Sequence, residues 1–384
     1  MSKSERLQST VSDLDSAMML RCCELASRAA GRTAPNPMVG SVVVCSGEII
    51  GEGYHPQAGE PHAEVFALRD AKKHDADRTN GATLYVNLEP CNHFGRTPPC
   101  SEAAIAAGIR RVVIGMRDPN PKAKGGVEAL REAGIEVTVG VEEDRCRRLN
   151  EAFVHRVRRH QPFGILKYAM TLDGKIATTT GHSAWISGSA SRQRVHQLRG
   201  RCDAVIVGGN TVRRDNPNLT SHGQSEHNPL RVVMSRGLDL PVAANLWDTQ
   251  TAPTLVFAQT DSDTALAKTL ERQGVEVVLL DSLTPKAVMA QLYERGLMSV
   301  LWECGGTLAA AAIADGSVQK LWAFIAPKLI GGARAPSPLG DLGLEKMTEA
   351  IALEKMQITQ IEQDFLLEGY LRSPAAQNVE SLDV

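Results

Sequence analysis

His62-Ala63-Glu64, then Glu89-Pro90-Cys91, then Pro99-Cys100, with eight residues between the two cysteines, is the stretch on which the reading of this chain turns. One imidazole and two thiolates can hold a zinc ion, and a carboxylate stands beside them. A catalytic zinc keeps three protein ligands and leaves its fourth position to water, so His62, Cys91 and Cys100 are expected to bind the metal while Glu64 moves protons. Residues two apart on a helix point to different sides, which turns Glu64 away from being a fourth ligand and toward that water. A closed structural site would need a fourth ligand that the sequence does not offer.

Outward from the motif, β-type and α-type segments alternate. Met18, Cys22, Leu25 and Ala29 recur at helical spacing until Gly31, with Asp13 or Asp15 as N-cap, and predict an opening helix. Residues 40–45 and 49–53 read as strands close enough to form a hairpin, and a helix begins near Pro61 with His62 and Glu64 in its first turn. Strands follow at 83–88, 111–116 and 135–139, with helices at 101–107 and 127–133. This order argues for a central mixed sheet with helices on its faces. A basic stretch at 142–159 reads as one helix that stops before Pro162, and its charge is that of a solvated face. Beyond it, strands at 164–170, 204–207, 230–234, 254–258, 275–280, 300–303 and 321–326 are separated by helices. The expected organisation is a polar extension (1–12), a metal-binding domain (13–160), a second α/β domain (161–373) and a flexible tail (374–384).

At 384 residues the chain exceeds one ordinary core, which fits two domains. Hydrophobic residues make up 43% and charged residues 22%, a soluble globular balance, and no apolar run approaches the roughly 20 residues that span a bilayer. The start is polar and lacks an apolar signal core, so a cytoplasmic location without membrane attachment is expected. A formal net charge of −2 lacks the basic excess needed to grip long nucleic acid, which favours a small substrate. Cys22, Cys23, Cys45, Cys146, Cys202 and Cys304 lie outside the motif and read as small buried hydrophobes in a reducing compartment.

The order His-x-Glu, then Pro-Cys, resembles the zinc nucleobase deaminases. The loop Asn92-His93-Phe94-Gly95-Arg96-Thr97-Pro98-Pro99 is longer than the two-residue spacer of nucleic-acid and free-nucleoside deaminases. With Pro35-Asn36-Pro37-Met38-Val39-Gly40 and Asp118-Pro119-Asn120-Pro121, it resembles the deaminase half of the bifunctional deaminase/reductase family of riboflavin biosynthesis, and the likeness runs over residues 13–373. That resemblance implies an N-terminal cytidine-deaminase-like three-layer α/β/α domain and a C-terminal dihydrofolate-reductase-like α/β domain. It implies zinc-dependent hydrolytic deamination of a phosphoribosylated diaminohydroxypyrimidine, then NADPH-dependent reduction of its ribosyl group to a ribityl chain. The implied partner is a pyrimidine ribosyl phosphate, with no nucleic acid and no membrane. A homo-oligomer is compatible with the sequence, which does not fix the oligomeric state.

By the same resemblance, Asn36, His93 and Arg96 match substrate-binding positions, and their side chains suit a ring edge and a phosphate. Leu166-Lys167-Tyr168-Ala169-Met170-Thr171-Leu172-Asp173-Gly174-Lys175 resembles the opening of the reductase half. Carried over by position, Ala169, Trp185, Thr211, Asp215, Ser235, Gly305, Gly306, Thr307, Leu308, Ala309, Ala310 and Ala311 are implied cofactor contacts, while Ser183, Arg199, Leu219 and Glu303 are implied substrate contacts. Lys167 and Glu303 can polarise or protonate the opening sugar. No Gly-x-Gly-x-x-Gly fingerprint occurs, so the pyrophosphate cradle is expected at Gly305-Gly306-Thr307-Leu308, where a strand turns into a helix. Ser235-Arg236 offers a hydroxyl and a guanidinium for the 2′-phosphate that separates NADPH from NADH. Trp185 is alternatively core packing.

One departure stands out. Two positions after Asn216-Pro217-Asn218-Leu219-Thr220, where many family members carry a substrate-binding arginine, this chain has His222, either a cationic phosphate contact or a loop histidine. A nucleic-acid deaminase would leave the second domain idle and conflicts with the charge balance. A chain with one half reduced to a scaffold conflicts with intact motifs in both halves.

Overall fold

The computed structural model describes residues 12–372 apart from 75, 95–97 and 263. Arg96, most of the expected N-terminal extension and the expected tail therefore lie outside the described residues. Two compact units meet in sequence between Arg159 and His160. No helix among the described residues is long and apolar enough to cross a membrane.

The first unit runs α1 (Asp13–Ser27), β1 (Gly40–Cys45), β2 (Glu48–Tyr54), α2 (Ala63–His74), α3 (Ala76–Thr79), β3 (Thr83–Leu88), α4 (Cys100–Ala106), β4 (Arg111–Met116), α5 (Gly126–Glu132), β5 (Glu136–Val139), α6 (Glu143–Leu149) and α7 (Glu151–Arg159). Its five strands lie in the order β2-β1-β3-β4-β5. The β1–β2 hairpin and the β1–β3 pair are antiparallel, whereas β3–β4 and β4–β5 are parallel, so the sheet is mixed as expected. Glycine sets how closely α2 approaches it. A Cβ on Gly53 would stand 2.5 Å from the Ala67 nitrogen, and one on Gly51 would stand 2.4 Å from the Ala67 oxygen. Buried Ala63, Ala67 and Ala71 face these glycines, and the helix that carries Glu64 is pressed onto the strand.

Three expectations for this unit need correction. The α1 N-cap is Ser12, which exchanges a reciprocal capping pair with Asp15, because a hydroxyl accepts from the third helical N–H while Asp15 turns inward to Arg111 and Tyr85. Of the expected apolar positions Cys22, Leu25 and Ala29 are buried, but Met18 is only half-buried, and Asp15, Met19, Cys23 and Ala26 join the buried face. The basic stretch forms two helices. Asn150 separates them, its amide accepting from Met38 N (2.8 Å) and donating to Met38 O (2.9 Å).

The second unit runs β6 (Phe163–Thr171), α8 (Ser189–Arg199), β7 (Ala204–Gly208), α9 (Gly209–Asp215), β8 (Leu230–Met234), β9 (Thr254–Gln259), α10 (Thr264–Arg272), β10 (Glu276–Leu280), α11 (Pro285–Glu294), β11 (Ser299–Trp302), α12 (Gly306–Ala314), β12 (Lys320–Ala326), β13 (Leu353–Ile361) and β14 (Asp364–Leu371). Nine strands form one sheet in the order β10-β9-β8-β7-β11-β6-β12-β14-β13. Pairing is parallel from β10 through β12 and antiparallel for the last two strands. Strands covered on both faces read as continuous apolar runs, and Val232, Leu255, Val300 and Trp302 are fully buried in this core. The β13–β14 hairpin was not expected, because β13 is exposed along nearly its whole length and has no buried face to print an alternating pattern.

Candidate functional sites

Each predicted metal ligand is delivered by a local end of structure. His62 stands one residue before α2, and its carbonyl accepts from Val65 N and Phe66 N, so it caps the helix from outside where a first-turn position was expected. Glu64 does lie in the first turn. Cys91 follows β3 and Cys100 opens α4, whose first N–H donates to Cys91 Sγ at 3.4 Å. His62 Nδ1 lies 3.2 Å from Cys100 Sγ and 3.5 Å from Cys91 Sγ. The three ligand atoms fall within 4.8 Å of one another, the arrangement a single ion needs.

Electrostatics fit the same use. Hydrogen bonds from Cys100 and then His62 hold the Cys91 thiol down to about 4, and the Cys91 partner raises His62 to about 9. Burial pushes Glu64 above its ordinary range. Glu64 is 3% exposed, and its Oε2 has no hydrogen-bond partner among the described residues, a buried acceptor left bare. The donor set of one nitrogen and two sulfurs, open on the side of this carboxylate, fits a catalytic zinc.

A cavity of about 360 Å³ is lined by His62, Glu64 and Cys91, while Cys100 is buried and does not line it. Asn36 and His93, which match substrate-binding positions of the family, line it together with Asp118 and Asn120 of the Asp118-to-Pro121 motif and with His55 and Arg156, which the sequence did not single out. His55 is buried between two partners: its Nε2 meets Asn36 Nδ2 at 3.1 Å and its Nδ1 meets the Pro61 carbonyl at 3.0 Å. Since the amide nitrogen can only donate, Nε2 accepts and Nδ1 carries the proton. Burial lowers the His55 pKa, in keeping with this neutral form. Its ring meets the His62 ring edge-on, with centroids 5.6 Å apart. Glu89 serves the scaffold, accepting from Asp118 N and Val127 N. Burial pushes Asp118 up to about 6.

The second unit holds a cavity of about 540 Å³. Thr211, Ser235, Gly305, Gly306, Thr307, Leu308 and Ala311 line it, joined by Arg213, Arg236 and Asp239. Gly305 is the N-cap of α12 and makes no side-chain cap, which leaves the first N–H groups of that helix free to meet an anion. A Cβ on Gly306 would stand 2.9 Å from Ser337 O, so close approach of backbone, and not a positive φ, requires this glycine. Ala309 and Ala310 face the core, and Ala169, Trp185 and Asp215 do not line the cavity. Trp185 is 69% exposed with the Arg192 guanidinium 4.5 Å from its ring centroid, so it is not core packing.

Just before that helix stands an ionic cluster. Arg199 donates to both oxygens of Glu303, at 2.5 and 3.0 Å, and Lys167 Nζ lies 3.6 Å from Glu303 Oε2. Against a burial that would raise it, the Arg199 and Lys167 charges hold Glu303 down at about 2, while burial lowers Lys167. His222 stacks on His196 with centroids 4.1 Å apart, and burial and then the Arg199 charge lower its pKa. A standing imidazolium is therefore disfavoured there. Leu219 is buried, whereas Ser183 is exposed.

Comparison with known proteins matches each unit to a family. Residues 12–116 match the family model for the cytidine and deoxycytidylate deaminase zinc-binding region, and residues 162–367 match that for the RibD C-terminal domain. The riboflavin biosynthesis protein RibD of Synechocystis is 59% identical over 93% of this chain and 96% of its own length. RibD of Aquifex aeolicus is 41% identical over 93% of this chain and 98% of its own. The crystal structure of a diaminohydroxyphosphoribosylaminopyrimidine deaminase/5-amino-6-(5-phosphoribosylamino)uracil reductase from Thermotoga maritima superposes with a TM-score of 0.85 at 37% identity, covering 94% of this chain and 99% of that one.

Proposed function

The chain belongs to the RibD family of bifunctional riboflavin-biosynthesis enzymes, and from that premise we propose that its first unit deaminates diaminohydroxyphosphoribosylaminopyrimidine and its second reduces 5-amino-6-(5-phosphoribosylamino)uracil with NADPH. Its halves have the cytidine-deaminase-like and dihydrofolate-reductase-like folds. The observation that carries the reading is the convergence of His62, Cys91 and Cys100 beside the bare Glu64 Oε2.

His62, Cys91 and Cys100 would hold a zinc ion, which would supply Lewis acidity. Glu64 takes a proton from the attacking water and returns it to the departing amine, so a C–O bond replaces a C–N bond and ammonia leaves. Asn36, fixed by neutral His55, reads the ring edge, and His93 binds the phosphate, a role that the resemblance also implies for Arg96. In the second unit Thr211, Ser235, Arg236 and the start of α12 would hold NADPH, which would supply the hydride. Glu303 at about 2 is too acidic to donate a proton near neutrality, so it positions Arg199 and Lys167. Lys167, eased toward release by burial, protonates the sugar oxygen as the ring opens. Ala169, Trp185 and Asp215 would act at the nicotinamide end or by bracing loops, and Ser183, Leu219 and His222 on the substrate. The setting is cytoplasmic.

The test is a single incubation of purified protein with the diamino substrate and NADPH. Ammonia should appear first and NADPH oxidation should follow with a lag. NADPH oxidation without prior ammonia release would overturn the assignment.

A further inference from the structure

We propose that Arg231 is a positioning residue for the reductase substrate, fixing the loop from Asn216 to His222 in the place where it meets Arg199. The proposal rests on the reading above, in which that loop lends Leu219 and His222 to the substrate.

Arg231 lies on β8, and its side chain is completely buried. Every hydrogen bond found for it among the described residues goes to a main-chain oxygen. Nη2 donates to Ala252 O (2.6 Å), Asp248 O (2.7 Å) and Leu246 O (2.9 Å), and Nη1 to Asn245 O (3.4 Å) and Asn218 O (3.5 Å). A guanidinium stays charged, and a buried charge hydrogen-bonded only to carbonyls, with the Asp248 carboxylate acting on it electrostatically, is a poor way to fill a core that a leucine or methionine could fill. What the rigid fork adds is geometry, since it fixes oxygens of Asn218, of the Asn245 to Asp248 stretch and of Ala252 against one group.

One of those segments needs holding. Asn216, Leu219 and His222 all have left-handed backbones, with φ of 39°, 55° and 48°, a conformation that side chains other than glycine adopt only when their surroundings impose it. Asn245, whose carbonyl Arg231 holds, donates from its backbone nitrogen to Asn216 Oδ1 (2.8 Å) and from Nδ2 to Asn216 O (2.7 Å). At the far end of the loop, Thr220 O accepts from Arg199 Nη1 at 3.2 Å, and Arg199 grips Glu303. The loop is thus tied to Arg231 and Asn245 on one side and to the ionic cluster on the other. Arg231 is sealed from solvent and touches no reacting atom, so it acts through the loop.

The full-length protein with NADPH and the deaminated substrate tests this with two variants. Arg231→Lys keeps the charge and loses the fork. Asn245→Ala removes the Nδ2 bond to Asn216 O, one of the two ties to Asn216, from an exposed side chain and leaves the core intact, so it serves even if the first variant folds poorly. Both should raise the reductase KM for the pyrimidine substrate about tenfold, the scale of one lost positioning hydrogen bond, with the KM for NADPH and the deaminase kcat/KM unchanged. A merely structural role would reduce active enzyme and leave the substrate KM where it was. An unchanged substrate KM in Asn245→Ala, or equal rises in the KM of substrate and NADPH, overturns the proposal. A wild-type chain that oxidises no NADPH with this substrate removes the functional reading and the proposal together, and does so before any variant is compared.

Discussion

Replacing Glu64 with glutamine changes one oxygen to an NH₂ group at a site that is 3% exposed and whose Oε2 has no partner among the described residues. Shape is kept, and the ability to accept and return a proton is removed. General acid–base catalysis contributes roughly 10²- to 10⁴-fold, or about 2.7 to 5.4 kcal/mol of barrier. An unsatisfied buried amide costs about 1 to 3 kcal/mol against a domain stability of about 5 to 15 kcal/mol, so the variant stays folded and its deficit is chemical. Because Glu64 is not among the three converging ligand atoms, zinc content should remain near one per chain. Ammonia release, zinc content and NADPH oxidation on pre-deaminated substrate, measured on one preparation, give the answer. Deamination should fall by at least a hundredfold while the other two hold. Loss of zinc in Glu64→Gln would refute the reasoning, as would deamination within about threefold of wild type.

Other outcomes follow from individual contacts. Asp15 is 2% exposed and is held at about 2, despite burial, by Arg111 and Tyr85, against an ordinary 3.8. The stability it adds is whole above 3.8 and is lost as pH falls through about 2. Asp15→Asn should therefore cost the first unit roughly 2 to 3 kcal/mol at pH 7 by denaturant titration, and unchanged stability there would contradict the network. Ser235→Ala combined with Arg236→Ala should narrow the preference for NADPH over NADH, and an unaltered ratio would move phosphate recognition elsewhere in the cavity. With His222 already lowered, the rise of reductase KM with pH should lie below 6.5 in wild type and flatten in His222→Arg, the two proteins being compared because the substrate phosphate also titrates. Parallel curves would leave His222 as a loop residue.

The candidate metal site was legible because metal chemistry restricts residue type so tightly that His62, Cys91 and Cys100 announce themselves without knowledge of their neighbours. Strands such as β7, β9 and β11 were legible for a different reason, since burial on both faces prints a run of apolar residues, Ala204 to Val207, Leu255 to Ala258 and Val300 to Trp302. His55 could not be read in the same way. Its role depends on the Asn36 amide and the Pro61 carbonyl, contacts that no spacing encodes. The break at Asn150 is likewise tertiary, since nothing local ends a helix there until Met38 claims the side chain. The β13–β14 hairpin escaped because solvent, not a core, faces most of β13. In the reductase half, resemblance supplied the cavity wall at Thr211, Ser235 and the start of α12, but a positional match does not say which way Ala309 and Ala310 face.

The central claim is that two chemistries reside in two units and only one depends on the metal. The most direct measurement strips zinc with a chelator, verifies by circular dichroism and NADPH binding that the second unit stays folded, and assays each half-reaction on its own substrate. Ammonia release should vanish and return on adding zinc, while NADPH oxidation on pre-deaminated substrate continues at its original rate. Equal loss of both activities with the second unit folded would contradict the account.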